Sequence, residues 1–216
     1  MNPFLIRRRM FMTEKNIEKL EYIQSTGAQL IDTEYIPKMN TVLEMDIQFI
    51  ENKNTMNPNL ILSTENNFFG VSEQVNSFSA NFGGNTSQYN NIFYWNNIRG
   101  GQVYGVMYQD VRKRSLFRLT NSDVAFQNRK DLLSEKSGNQ TENMFLFGAN
   151  RSHENEKMCL KRYDMRLYGC KIYEDDVLIK DFIPAKVGEK VGLYDTVSKK
   201  FHENKGTGEF LYAVKE

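Results

Sequence analysis

The chain has 216 residues, with 28 basic against 27 acidic side chains and a formal net charge of +1. Charges that cancel leave no long-range field to draw a polyanion, so nucleic acid is excluded as a partner for the body of the molecule. Aromatics at 12%, 4 prolines and polar residues scattered between short apolar runs read as strands and turns, and no apolar run approaches the roughly 20 residues that cross a bilayer as a helix.

Residues 1–19 stand apart. Arg7-Arg8-Arg9 lies between Phe4-Leu5-Ile6 and Met10-Phe11-Met12, ahead of a charged stretch from Thr13 to Lys19. Thr13 is placed to cap a short helix, with Glu14 near its positive end and Ile17 and Leu20 on one face. Phe4-Leu5-Ile6 is too short for the apolar segment of a secretory signal, which points to synthesis in the cytoplasm. Three arginines make only a small, salt-sensitive footprint for phosphate. Flanked by Phe4, Leu5, Ile6, Met10 and Phe11, Arg7, Arg8 and Arg9 read better as part of a peptide that docks on a partner protein. Residues 1–19 are therefore expected to be an anchoring arm and residues 20–216 one domain, a length that two packed sheets reach around a single core.

From Leu20 onward the pattern changes to short alternating runs, first Leu20 to Ile23 and Gln29 to Thr33. The clearest strand is Val42 to Ile50, where Leu43, Met45, Ile47 and Phe49 alternate with Glu44, Asp46 and Gln48. Period two sends the first set to a buried face and the second to the opposite one. Further strands are expected at Asn59 to Ser63, Phe68 to Ser72, Phe78 to Phe82, Ile92 to Trp95 and Gln102 to Tyr108. Others follow at Ser115 to Leu119, Val124 to Gln127 and Met144 to Phe147, and Arg129 to Glu135 reads as a turn or two of helix. Near the C-terminus, Met165 to Tyr173 and Val177 to Ile183 flank Glu174-Asp175-Asp176, a connection of hairpin length although Asp-Asp is a weaker tight-turn pair than Asn-Gly. So many short strands imply two stacked antiparallel sheets.

Two segments carry a resemblance. Glu21-Tyr22-Ile23-Gln24-Ser25-Thr26-Gly27-Ala28-Gln29-Leu30-Ile31-Asp32-Thr33 resembles the opening of concanavalin A-like, laminin-G-like sandwich domains. Arg166-Leu167-Tyr168, Lys171-Ile172-Tyr173, Asp181-Phe182-Ile183-Pro184, Gly192-Leu193-Tyr194-Asp195 and Gly206-Thr207-Gly208-Glu209-Phe210 are similar to their closing segment. The resemblance implies an all-β, two-sheet antiparallel jelly-roll sandwich. It also implies a non-catalytic surface protein of a bacteriophage virion, such as a head fibre, tail fibre or capsid-decorating component. Such a protein is made in the host cytoplasm and attached to other virion proteins through the arm. A bacterial carbohydrate-binding module on a cell surface is the alternative, and a glucanase-like glycoside hydrolase the second. The matching residues also have plain structural roles: the glycines suit turns or close approaches, and Tyr22, Ile31, Leu167, Ile172, Phe182, Leu193, Tyr194 and Phe210 look like core.

The fold's glucanases need two carboxylates about 5 to 10 Å apart and carry them as Glu-x-Asp-x-x-Glu on one strand. Glu44-Met45-Asp46 begins that pattern, but position 49 is Phe and Glu51 falls on the opposite face, so no catalytic residue is expected. His153 and His202 have no nucleophile in a recognisable setting near them. Cys159 and Cys170 lack zinc spacing and are expected as unpaired thiols, with Cys170 sharing a buried face with Tyr168 and Ile172. Glu174-Asp175-Asp176 lacks the spacing of a calcium loop, so neither metal nor cofactor is expected. For ligand recognition the candidates are Tyr89, Tyr94, Trp95, Asn96, Asn97 and Arg99. Rings pack on the CH face of a sugar, while amides and guanidinium pair with its hydroxyls, which suits a cell-surface glycan. The plainer reading is that Phe93 and Trp95 share a face that is simply core. Homo-oligomerisation is left open.

Overall fold

A computed structural model describes residues 16–50, 59–64, 69–74, 77–82, 91–94, 98–99, 102–103, 113–120, 122–126, 129–132, 142–148 and 164–215. For the strands between 59 and 103, for residues 129–132 and for Val124, Phe126 and Asp164, the description is of the backbone.

The described residues form strands and connections with no α-helix. In chain order the strands are β1 (Glu18–Thr26), β2 (Ile31–Asp32), β3 (Thr41–Phe49), β4 (Asn59–Thr64), β5 (Phe69–Gln74) and β6 (Ser77–Phe82). They continue with β7 (Asn91–Tyr94), β8 (Ile98–Arg99), β9 (Gln102–Val103), β10 (Ser115–Leu119), β11 (Asp123–Phe126) and β12 (Arg129–Leu132). The last are β13 (Met144–Leu146), β14 (Asp164–Glu174), β15 (Val177–Val187), β16 (Lys190–Asp195), β17 (Lys200–Glu203) and β18 (Leu211–Val214). A ten-stranded antiparallel sheet runs β12-β11-β10-β3-β14-β1-β15-β16-β17, with β18 paired to β1. A six-stranded sheet runs β2-β13-β4-β5-β6-β7, and β8 and β9 make a separate two-stranded ribbon.

β3 behaves as its alternation dictates: Leu43, Met45, Ile47 and Phe49 are buried and Glu44, Asp46 and Gln48 are half-buried on the other face. Register then builds apolar rows across the sheet. Leu43 lies between Leu119 and Ile172, Met45 between Phe117 and Cys170, and Ile47 beside Leu167, which in turn faces Ile23. Ile31, Met144 and Leu146 of the smaller sheet enter the same cluster, joined by Tyr35 and Phe210. The two sheets therefore share one core.

Strands β1, β14 and β15 pair antiparallel with each other in all three combinations. Three mutually antiparallel strands cannot lie flat side by side, so the strands must bend, and bulges supply the bend. They occur in β1 between Leu20 and Tyr22, in β14 between Leu167 and Gly169, and in β15 between Leu178 and Lys180, opposite Ile172 and Tyr173. Each bulge also shifts the parity of the residues beyond it. Tyr168 consequently faces away from Cys170 and Ile172, which corrects the expectation that the three share a face. Tyr22 is likewise half-buried on the outer side rather than core, while Ile31, Leu167, Ile172, Phe182, Leu193, Tyr194 and Phe210 are buried.

The hairpin at Glu174–Val177 forms with Asp175 and Asp176 both at positive φ, 47° and 64°. This is a type I′ geometry that Asp tolerates, and it matches the twist of the flanking strands. Two helical expectations fail. Arg129–Leu132 is a strand paired with β11, because a lone turn of helix gains few hydrogen bonds whereas the hairpin pairs its backbone throughout. Leu20 lies in β1, whose first residues Glu18 and Lys19 pair with Lys186 and Ala185. Thr13 and Glu14 lie outside the described residues.

The two ends of the chain are knitted together. The buried Gln29 side chain accepts from Ser25 Oγ and the Thr26 and Ala28 N–H groups, and donates to Thr26 Oγ1 and the Glu209 carbonyl. Asn204 Oδ1 accepts from the Leu30 and Gly206 N–H groups. A Cβ at Gly206 would run into the Ala28 carbonyl and one at Gly192 into the His202 carbonyl, so both glycines serve close backbone approach.

Ile47→Ala should lower the unfolding free energy by about 2 to 5 kcal/mol in chemical denaturation. Glu44→Ala, on the opposite face of the same strand, should cost less than about 1 kcal/mol. Equal losses would place the core on the wrong face.

Candidate functional site

On the face of β10, β3, β14 and β1 that turns away from the core, the same registers assemble a ladder of arginines, tyrosines, acids and amides. Arg114, just ahead of β10, grips Asp46 with Nε at 3.0 Å from both carboxylate oxygens and a terminal nitrogen at 2.7 Å. Its guanidinium lies 3.8 Å from the centroid of the Tyr168 ring, and Tyr168 Oη donates to Gln48 Oε1 at 2.6 Å. The Tyr168 and Tyr22 rings meet edge to face at 5.5 Å. Arg166 in turn covers Tyr22 at 4.3 Å and donates to Gln24 Oε1 at 2.9 Å.

A second branch joins Arg118 to Glu44 at 3.5 Å and to Asp123 at 3.6 Å, and Tyr173 Oη reaches Glu44 at 3.5 Å. Leu116, opposite Asp46, stands 56% exposed in the middle of this polar face. The Asp46 carboxylate raises the Arg114 guanidinium further above its ordinary value, chiefly through the hydrogen bonds between them. Each side chain is thus oriented by a neighbour, and the bulge at Tyr168 makes the central contact.

Apart from this face, a groove of about 410 Å³ near the C-terminus is lined by Lys186, Lys190, Glu203, Phe210 and Tyr212 among others. Lys190 and Glu203 form an ion pair across it.

Other charged groups are structural. Asp195 is fully buried at the start of the β16–β17 turn. Burial works against its ionisation, but hydrogen bonds from Ser198, the Asp181 N–H, Lys180 and the Val197 N–H outweigh that and hold its carboxyl below the usual range. The Lys180 ammonium lies 3.1 Å away. Glu174 is paired with Lys38 at 2.8 Å, and Asp175 accepts from Asn40 at 2.7 Å. Among the described residues no group of three potential ligands is arranged to hold a metal ion, and no helix is long and apolar enough to cross a membrane.

Of the residues singled out by sequence, Tyr94 lies in β7 opposite Ser77 and Arg99 in β8 opposite Gln102. Tyr89, Trp95, Asn96 and Asn97 lie outside the described residues, as do Glu51, His153 and Cys159. So do the arm residues Phe4, Leu5, Ile6, Arg7, Arg8, Arg9, Met10 and Phe11. Cys170 is a free, buried thiol whose ionisation burial pushes up. Arg114, Tyr168, Arg166 and Tyr22 were not legible as a group, since they converge only through the register of four strands. No protein-family profile matches the chain, and no curated protein is significantly similar to it.

His202 is buried against the Phe182 ring at 5.1 Å. Its Nδ1–H donates to the Asp32 carbonyl at 2.8 Å, and the buried Nε2 has no hydrogen-bond partner among the described residues. Burial holds its pKa below the ordinary 6.5. The unfolded chain therefore takes up this proton first, and stability is lost as pH falls below about 6.5 toward the lower folded value. Denaturation midpoints should drop between pH 7.5 and 5.5 in the native chain, and His202→Gln should flatten that slope. An unchanged slope in the variant would show that another group is responsible.

Proposed function

We propose that the chain is a non-catalytic recognition and display protein, a concanavalin A-like jelly roll whose large sheet offers its outer face to a glycan. The carrying observation is the ladder in which Arg114, Tyr168, Tyr22 and Arg166 are locked with Asp46, Gln48 and Gln24. A sugar presents closely spaced hydroxyls that need donors and acceptors in fixed positions. Side chains already held by neighbours lose little freedom on binding. Exposed Leu116 offers an apolar spot for the CH face of a ring.

The acids argue for binding over hydrolysis. A glycosidase needs two carboxylates free to face the scissile bond. Here Asp46 is gripped in two-pronged fashion by Arg114, and Glu44 is shared by Arg118 and Tyr173. The resemblance at both ends of the chain supports a place on a bacteriophage virion, with residues ahead of β1 serving as the attachment to other virion proteins.

Glycan-array screening followed by calorimetry tests the recognition. A bound glycan should lose at least about tenfold in affinity with Arg114→Ala or Tyr168→Ala, and no polysaccharide should be hydrolysed by the native chain or by Glu44→Gln. Turnover abolished by Glu44→Gln, or binding indifferent to both ladder variants, would overturn the reading.

The attachment has its own test, in which the truncation stops at Ile17 so that β1 stays whole. Removing residues 1–17 should abolish incorporation into particles while leaving the melting temperature nearly unchanged. Truncated protein that still assembles would show that the anchor lies elsewhere.

A further inference from the structure

The large sheet ends in three strands among those described, and they differ in the residues they carry. β12 carries Arg129, Lys130 and Asp131, and β17 carries Lys200 and Glu203. Charges on an edge strand discourage pairing with another chain. β18 is Leu-Tyr-Ala-Val, with neither charge nor proline, and pairs only with β1 among the described strands. Leu211 is 55% exposed, Tyr212 40% and Val214 55%. Successive strand residues point to opposite faces, so apolar side chains stand in water on both sides of β18. The strand is nevertheless held in place: Lys186 Nζ donates to Tyr212 Oη at 3.3 Å and lies 5.5 Å from its ring centroid.

We propose that β18 is the dimerisation edge of this protein, two copies pairing their β18 strands antiparallel about a twofold axis at Tyr212. The flanking charges select this occupant. Glu209 precedes the strand and Lys215 follows it, both exposed. A register centred on Tyr212 sets Leu211 opposite Ala213 of the second copy and Glu209 opposite its Lys215, and symmetry makes the ion pair twice. Parallel pairing in register would bring Glu209 against Glu209 and Lys215 against Lys215, and a slipped antiparallel register would lose both ion pairs. The segment complements itself in one arrangement, and the large sheet then continues from one copy into the other. The edge is short, so the dimer is weak and dissociates in the micromolar range.

Sedimentation velocity of the full chain across micromolar concentrations reads this equilibrium, with circular dichroism melts to show that each variant is folded. The native chain should interconvert between monomer and dimer. Leu211→Lys combined with Val214→Lys should leave monomer only. Glu209→Lys and Lys215→Glu should each raise the dissociation constant about tenfold, and the two reversals in one chain should bring it back to the native value. If the lysine pair fails to fold, the reversals at the exposed flanks carry the test. A native chain that remains monomeric overturns the proposal, as does a dimer that survives the lysine pair. A double reversal no tighter than the single ones also overturns it, because another surface would then hold the copies together.

Discussion

A strand sends alternate side chains to opposite faces, so β14 cannot bury Leu167, Cys170 and Ile172 together unless it breaks step once. The break lies between Leu167 and Gly169, opposite Ile47 and Asp46 of β3. Before the bulge Leu167 extends the apolar row that runs through Ile47 to Ile23, and after it Cys170 meets Met45. Tyr168 is the residue left over, and the outer face is where it goes. One irregularity thus completes the core on one side of the sheet and founds the ladder on the other. The adjoining bulge in β1 does the same for Tyr22, which lets the two rings meet.

Polar contacts tie the two ends of the described chain together beside the apolar core. Gln29 gathers five hydrogen bonds around the Ser25–Gln29 loop, including one to the Glu209 carbonyl. Asn204 reaches back to Leu30, and Thr33 pairs with Met144 through both its N–H and its hydroxyl. A buried amide with every partner in place adds stability, whereas the same amide half-satisfied would cost more than an apolar side chain. The Glu21–Thr33 segment and the Asn204–Phe210 segment are therefore neighbours in space, joined along this seam.

The sequence made legible whatever a single strand encodes by itself. β3 could be read because one uninterrupted alternation sets its faces, and the β14–β15 hairpin because two long runs flank a two-residue turn. Parity fails wherever a bulge intervenes, so the sequence alone puts Tyr22 in the core and Tyr168 on the wrong side. Arg129–Leu132 gave no strand signal of its own, since its conformation comes from pairing with β11. The ladder was hidden for a related reason: Arg114 and Asp46 are 68 positions apart and meet only when β10 lies beside β3. Residue type points to Tyr, Trp, Asn and Arg between 89 and 99, most of which lie outside the described residues.

The balance of charge over the whole chain has a local counterpart in the ladder. Arg114 is set against Asp46, Arg118 against Glu44 and Asp123, and Arg166 against the neutral amide of Gln24. Ion pairs at such partly exposed sites contribute little to stability, on the order of 0 to 1 kcal/mol each. Their effect is geometric, because each guanidinium is fixed over a ring or against a carboxylate and the leftover N–H and lone-pair positions point in set directions. A surface whose charges are already matched attracts neither a polyanion nor a polycation at long range. What the ladder presents at contact is therefore a fixed set of hydrogen-bond donors and acceptors, held in place by the sheet beneath. The buried rows through Met45 and Ile47 back that sheet, so the core and the ladder are two consequences of the same strand registers.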